Sequence, residues 1–150
     1  MSTIRIAKEF RWEMGHRLPF HSSQCRNIHG HSYRLRVTIE GTPDANGMVM
    51  DFYELSALVE PIIAMLDHAF ICDSGDETMQ RFFRDNPDFK VVHVPFTTTV
   101  ENLCTWIAAH IAERLRTRGG IERLHVRLYE TATAFADYSI VLTPPAQPAS

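Results

Sequence analysis

The segment SYRLRVTIE (Ser32–Glu40) alternates between apolar and polar side chains. Successive side chains of a strand point to opposite faces of a sheet, so this alternation predicts a strand that is buried on one face. Its apolar face consists of Tyr33, Leu35, Val37 and Ile39. The segment Thr3–Met14 has the same period, with apolar residues mostly at even positions. The two segments predict a pair of strands, joined by a loop over Gly15–Ile28.

A first helix is predicted after the turn-forming segment 41–47 (GTPDANG). It begins at Asp51, which with Glu54 has the spacing of a capping box. Its apolar stripe recurs at helical spacing and comprises Phe52, Leu55, Leu58, Val59, Ile62 and Ile63. Pro61 lies inside this pattern and is expected to kink the helix or open its last turns.

A second helix and two more strands are predicted in the last third of the chain. The helix runs from about Val100 to Arg116, with Thr98 or Thr99 as its cap. Two alternating segments follow and predict strands over Arg123–Tyr129 and Phe135–Leu142.

The order of these elements, ββααββ, predicts an α+β fold. Short connections between strands favour a four-stranded antiparallel sheet with two helices on one face. Residues 72–95 have no clear period and are expected to form a long excursion, with a short helix near Glu77–Phe83. Residues 1–143 are expected to form one domain, and the Pro-rich tail 144–150 to be disordered. The exposed edges of such a sheet favour pairing within a closed oligomer.

The composition is that of an ordinary globular protein, with 150 residues, 45% hydrophobic and 22% charged. A net charge of -3 provides no electrostatic reason to expect a nucleic-acid or membrane partner. No apolar run approaches the roughly 18 residues of a transmembrane helix. The three cysteines, Cys25, Cys72 and Cys104, without a signal peptide, predict reduced thiols and a cytoplasmic protein.

The segment CRNIHGH (Cys25–His31) carries the strongest chemical signal. His29 and His31 are two residues apart and therefore share one face of a strand, in phase with the apolar residues that follow. His16 continues the buried phase of the first strand if Gly15 does not break the register. If the strands pair, three neutral imidazoles converge, as in catalytic zinc sites with one open coordination position.

Two alternatives remain open for this segment on residue patterns alone. The histidines are equally consistent with hydrogen-bonded core residues, since two histidines at this spacing are a weak signal. Cys25 is either a fourth zinc ligand that closes a structural site or a free thiol activated by a nearby zinc or imidazolium.

Several further residues are candidates for proton transfer and binding. Asp67 precedes His68 at the end of the first helix, where a carboxylate can orient an imidazole, although a simple helix cap is equally consistent. Glu130 follows the apolar phase of its strand, so its carboxylate points toward the core side and needs a partner or ligand. Glu101 lies in the first turn of the second helix, where capping is the default role.

With these residues in place, the chain resembles the 6-pyruvoyl-tetrahydropterin synthase / 6-carboxy-tetrahydropterin synthase family, most closely its bacterial 6-carboxy branch. The matching motifs are FRWEMGHRL (Phe10–Leu18), CRNIHGHSY (Cys25–Tyr33), GMVMDF (Gly47–Phe52), LDH (Leu66–His68), TVENL (Thr99–Leu103), and Glu130–Thr131 with Tyr138. The resemblance implies the tunnelling fold, in which trimers close a barrel and two trimers stack as a homo-hexamer. The 72–95 excursion is longer than the resemblance leads one to expect.

The resemblance also implies the roles of the site residues. It implies Zn²⁺ on His16, His29 and His31, and Cys25 as the proton acceptor. His68, supported by Asp67, and Glu130 would form a charge relay. Glu130 and Glu101 would anchor the pterin ring.

The implied reaction converts 7,8-dihydroneopterin triphosphate to 6-carboxy-5,6,7,8-tetrahydropterin and releases triphosphate and acetaldehyde, as in queuosine (7-deazaguanine) synthesis. One alternative is the 6-pyruvoyl branch, which acts on the same substrate and keeps the side chain. An alternative of another class is a non-catalytic domain with a structural zinc bound by four protein ligands, Cys25 included.

Overall fold

Two long antiparallel strands form the centre of the fold in a computed structural model that describes residues 2–142. β1 spans Ile4–His16 and β2 spans His29–Gly41, so both predicted strands are present and extend to the histidines. They pair in unbroken register, with Trp12 opposite Tyr33 and His16 opposite His29. The even positions of β1 from Phe10 onward are buried, as the alternation predicts.

Two helices cover the buried face of these strands. α1 spans Phe52–Leu66, and the side chain of its N-cap, Asp51, accepts a hydrogen bond from the Tyr53 amide at 2.7 Å. The helix continues past Pro61 to Leu66, so its last turns do not open as one of the two predicted outcomes required. α3 spans Val100–Leu115 and is capped by Thr99, one of the two predicted candidates.

The sheet differs from the predicted one. Within residues 2–142 it has six strands, the four further ones being β3 (Phe70–Asp73), β4 (Val91–Val94), β5 (Ile121–Tyr129) and β6 (Phe135–Val141). Their order is β4-β3-β1-β2-β5-β6, with both parallel and antiparallel pairs. β5 (Ile121–Tyr129) and β6 (Phe135–Val141) are the predicted strands and extend the sheet antiparallel from β2. The expectation of four antiparallel strands and two helices was wrong, since β3, β4 and a third helix lie at the other edge.

The additional elements form what we call the β3–α2–β4 unit, residues 70–94. β3 (Phe70–Asp73) pairs in parallel with the end of β1, and β4 (Val91–Val94) pairs in parallel with β3. α2 (Glu77–Asp85) connects them and includes the short helix predicted there. Sequence patterns did not predict β3 and β4 because four-residue apolar runs show no period that distinguishes a strand from a helix end.

The hydrophobic residues are divided between two cores. The larger core lies between the sheet and the helices α1 and α3. A small second core belongs to the β3–α2–β4 unit and buries Cys72, Met79 and Phe83. No helix within residues 2–142 has the length and apolar character needed to cross a membrane. The predicted tail, 144–150, lies outside the described residues.

Candidate metal centre and active site

The pairing of β1 with β2 assembles the three histidines. His16 lies opposite His29, and His31 is one pleat further along β2. One possible ligand atom from each of the three imidazoles lies within 4.8 Å of the others. Gly30 permits this close packing of the strands, because a Cβ there would lie 3.2 Å from the carbonyl oxygen of Met14. The structure therefore brings together the residues that the strand phases predicted.

Backbone carbonyls orient two of the imidazoles. The Nδ1 atom of His16 is 2.8 Å from the carbonyl oxygen of Thr98, and Nδ1 of His29 is 2.7 Å from that of Asn27. A carbonyl only accepts hydrogen bonds, so each Nδ1 carries the proton and each Nε2 keeps its lone pair. The Nε2 atoms of His16 and His31 are buried without a hydrogen-bond partner among the described residues.

Burial favours the neutral form of the His16 and His31 imidazoles by lowering their pKa values. It lowers the pKa of His16 to about 4, although the hydrogen bond to Thr98 opposes the shift. Burial and the neighbouring His29 also lower the pKa of His31. Imidazole nitrogens are ligands that zinc prefers, so the three converging histidines fit a zinc ion with three protein ligands.

Glu130 lies beside this cluster. It follows β5, and its Oε1 atom is 3.4 Å from Nε2 of His31. Burial raises the pKa of the Glu130 carboxyl, His29 opposes that shift, and the negative charge of Glu101 adds to it. Glu101, in the first turn of α3, therefore lies close enough for its charge to influence the Glu130 carboxyl.

Cys25 lies in the connection between β1 and β2, in a short 3₁₀ helix spanning Gln24–Arg26. It is half-buried, whereas Cys72 and Cys104 are buried. Among the described residues, the group with converging ligand atoms contains the three histidines and not Cys25. This arrangement favours a free thiol over a fourth ligand, because a closed structural site requires four converging donors.

His68 and Asp67 form a hydrogen-bonded pair at the end of α1. Nδ1 of His68 is 2.9 Å from Oδ1 of Asp67, and the same oxygen accepts the amide of Glu13 at 3.0 Å. These two hydrogen bonds lower the pKa of the Asp67 carboxyl. His68 has a φ of 61°, and its side chain is 77% exposed. A cavity of about 290 Å³ is bordered by both His68 and His31, although the His68 imidazole does not join the histidine cluster.

Thr98 has a direct effect on the site that the sequence did not predict, as does Asn27 through its carbonyl oxygen. Thr98 is 1% exposed, and its carbonyl oxygen fixes the tautomer of His16. The sequence predicted Thr98 only as a candidate N-cap of the second helix. No side-chain signal identifies a backbone acceptor, since every residue type carries the same carbonyl group.

Comparison with known proteins places the chain in a family. The sequence profile of the 6-pyruvoyl tetrahydropterin synthase family matches residues 5–140, and the chain belongs to this family. The homologues indicate an enzyme of the lyase type, a tetrahydropterin synthase.

Two curated relatives and one solved structure illustrate the similarity. The 6-carboxy-5,6,7,8-tetrahydropterin synthase of Haemophilus influenzae is 37% identical over 142 residues, covering 90% of this chain and 98% of the relative. The enzyme of that name from Synechocystis is 36% identical over 141 residues, covering 89% and 91%. The 6-pyruvoyl tetrahydropterin synthase of Plasmodium falciparum shares the fold, with a TM-score of 0.76 at 19% identity and coverage of 94% and 99%.

Proposed function

We propose that the protein is a zinc-dependent 6-carboxy-tetrahydropterin synthase. It converts 7,8-dihydroneopterin triphosphate and one molecule of water to 6-carboxy-5,6,7,8-tetrahydropterin, triphosphate and acetaldehyde. The observation that carries the proposal is the convergence of three imidazoles, two of them with a buried Nε2 atom that has no hydrogen-bond partner among the described residues, in a chain that matches its 6-carboxy relatives over nearly their whole length.

His16, His29 and His31 would hold the zinc ion through one nitrogen each. Zinc bound there supplies Lewis acidity toward the hydroxyl groups of the substrate side chain. The protein contributes the donor geometry, since the carbonyls of Thr98 and Asn27 fix the orientations of two of the rings.

Cys25 and His68 are the proposed proton carriers. Cys25 is half-buried, so its thiol is shielded from bulk solvent and still accessible to a substrate. The hydrogen bond from Nδ1 of His68 to Asp67 leaves Nε2 of His68 to accept or donate a proton. Asp67 is the positioning partner, because its carboxylate is itself fixed by the amide of Glu13.

Glu130 and Glu101 are the proposed anchors for the pterin ring. A pterin presents adjacent N–H donors, which a carboxylate can accept together through its two oxygens. Glu130 lies beside His31, so a ring held there would place its side chain near the zinc ligands. A bound N–H donor would also stabilise the ionised form of this half-buried carboxylate, whose pKa burial raises.

A homo-hexamer is the proposed assembly. β4 and β6 are the edges of the sheet in the single chain. β6 exposes large hydrophobic side chains, namely Phe135, Tyr138 and Val141. Pairing of such edges between subunits would remove both the unpaired backbone groups and the exposed apolar surface.

Product identification tests the reaction. The zinc-loaded protein is incubated with 7,8-dihydroneopterin triphosphate, and mass spectrometry and an acetaldehyde assay identify the products. We expect 6-carboxy-tetrahydropterin with acetaldehyde. A product that retains the three-carbon side chain would assign the protein to the 6-pyruvoyl branch, and no turnover of the dihydropterin would reject both branches.

The variant Cys25→Ala separates the enzyme from a non-catalytic zinc domain. We expect it to keep its zinc and lose activity, because the thiol is a proton carrier and not a ligand. Zinc content by atomic emission and turnover are measured on the same sample. Loss of zinc together with unfolding would instead indicate a structural site in which Cys25 is the fourth ligand.

A further inference from the structure

An ion pair joins the β3–α2–β4 unit to the loop that carries Cys25. Nε and Nη2 of Arg17 donate to the two carboxylate oxygens of Asp76 at 2.6 and 2.8 Å. Asp76 is 4% exposed and is the N-cap of α2. The third nitrogen of the same guanidinium, Nη1, donates to the carbonyl oxygen of Arg26 at 3.4 Å. One side chain therefore contacts both the unit and the residue directly after Cys25.

The backbone of Arg17 connects this ion pair to the candidate metal centre. Arg17 follows His16 in the chain, and its carbonyl oxygen accepts the hydroxyl of Thr98 at 3.4 Å. The next residue, Leu18, donates its amide to the carbonyl oxygen of Cys25 at 2.8 Å. The start and the end of the loop are thus held together on either side of the guanidinium.

We propose that Asp76 is a positioning residue for catalysis, acting through Arg17 to fix the loop that carries Cys25. The inference rests on the proposed role of Cys25 as a proton carrier. In this proposal the 72–95 excursion supplies the buried Asp76 carboxylate, which orients the Arg17 guanidinium toward the Arg26 carbonyl. A planar guanidinium with five N–H donors can hold a carboxylate through two of them and still direct another at a carbonyl.

The ion pair is the principal polar link between the excursion and this loop. The unit has its own small core, and β3 pairs with β1 at a single position, Gly15 with Phe70. Arg17 is only partly buried, so a guanidinium that lost the Asp76 carboxylate would turn toward water or other partners. The contact with the Arg26 carbonyl would then be lost, and Cys25 would keep the hydrogen bond from the Leu18 amide but lose the restraint on the residue that follows it.

The test uses the zinc-loaded, full-length Asp76→Asn variant. Asparagine is as good an N-cap as aspartate, so α2 keeps its cap while the ion pair loses its charge. The rate of alkylation by iodoacetamide is measured, and peptide mass spectrometry shows which part of it occurs at Cys25. Zinc content, kcat and KM are measured on the same samples. We expect alkylation at Cys25 to accelerate roughly fivefold or more as the loop opens locally. Zinc content should be unchanged, and kcat should fall roughly tenfold with a smaller change in KM.

Phe83→Leu is the matched control, because it weakens the core of the unit without contacting the ion pair. It should lower the melting temperature and leave the alkylation rate of Cys25 and kcat near the wild-type values. The double variant Arg17→Gln/Asp76→Asn should alkylate no faster than Asp76→Asn alone, since residues that act as a unit are not additive. Asp76→Glu, which keeps the charge, should lie closer to the wild type.

Two results would overturn the inference. One is an alkylation rate and a kcat in Asp76→Asn equal to those of the wild type. The other is the same acceleration in Phe83→Leu as in Asp76→Asn, which would reduce the pair to a general contribution to folding. If the wild-type protein makes no pterin product, the proposed function fails, and the alkylation comparison still decides whether Asp76 controls the loop.

Discussion

The four antiparallel strands, β1, β2, β5 and β6, bury their apolar side chains in a different way from the β3–α2–β4 unit. β1 and β2 have 13 residues each, and their inner residues, such as Leu35, are fully buried against α1 and α3. The strands of the unit have 4 residues each and cover a small core of their own. The difference teaches that the histidines are positioned by the ends of two long paired strands, while the unit contributes a single buried charge near the site.

Replacing a histidine in each region should have opposite outcomes. His16→Ala removes one of three converging imidazoles, and zinc affinity should fall by more than about a hundredfold, with activity lost. His93→Ala changes an exposed histidine of β4 and should leave zinc and activity intact. Zinc stoichiometry after dialysis, with circular dichroism to verify folding, is the measurement. Equal zinc loss in both variants would mean that the cluster is not the metal site.

Truncating a buried side chain in each region should affect different amounts of structure. Leu35→Ala is expected to reduce the free energy of unfolding by about 4 kcal/mol, since β2 lies at the centre of the main core. Met79→Ala should cost about 2 kcal/mol, because the small core of the unit can collapse around the missing atoms. Urea unfolding measures both losses.

Hydrogen exchange then distinguishes local from global opening in these variants. In Met79→Ala the amides of α2 should exchange faster while those of β1 and β2 stay protected. Faster exchange in all three elements would show that the unit and the main core unfold together, and the division between the two regions would not hold.

Acid should weaken the main core before it weakens the ion pair of the unit. The pKa of His16 falls from an ordinary 6.5 to about 4 because of burial, so between these values the unfolded chain binds a proton that the folded chain excludes. The free energy of unfolding of the metal-free protein should therefore fall as the pH drops from 6.5 to 4, by at most about 3 kcal/mol. Burial opposes ionisation of Asp76, but Arg17 holds the pKa of its carboxyl below the ordinary 3.8. The contribution of this ion pair to the free energy of unfolding is therefore lost only below pH 3.8.

Chemical denaturation of the chelated protein at several pH values measures this dependence. In His16→Asn, which has no imidazole at this position, the slope between pH 6.5 and 4 should be clearly reduced. An unchanged slope in that variant would assign the dependence to other groups.

The fold was predictable from the sequence where the alternation of apolar and polar residues extends over many residues. The alternation in β1 and β2 correctly placed the buried faces, and the three histidines followed from the same phase. The N-caps Asp51 and Thr99 were predictable because a side-chain oxygen bonding the amides of the first turn is a local interaction. β3 and β4 were missed, since their identity as strands depends on parallel partners far along the chain.

The sequence by itself determined the strand phases, the helix starts and the residue types that converge at the candidate metal centre. Only the tertiary structure decided that Thr98 orients His16, a contact across 82 residues, and that Asp76 meets Arg17 across 59. Local patterns reflect side-chain periods along one segment. These two contacts depend instead on how the fold brings distant segments together. The first uses a backbone carbonyl, which every residue type carries, and the second pairs a charged side chain with a buried carboxylate, so neither leaves a local pattern in the sequence.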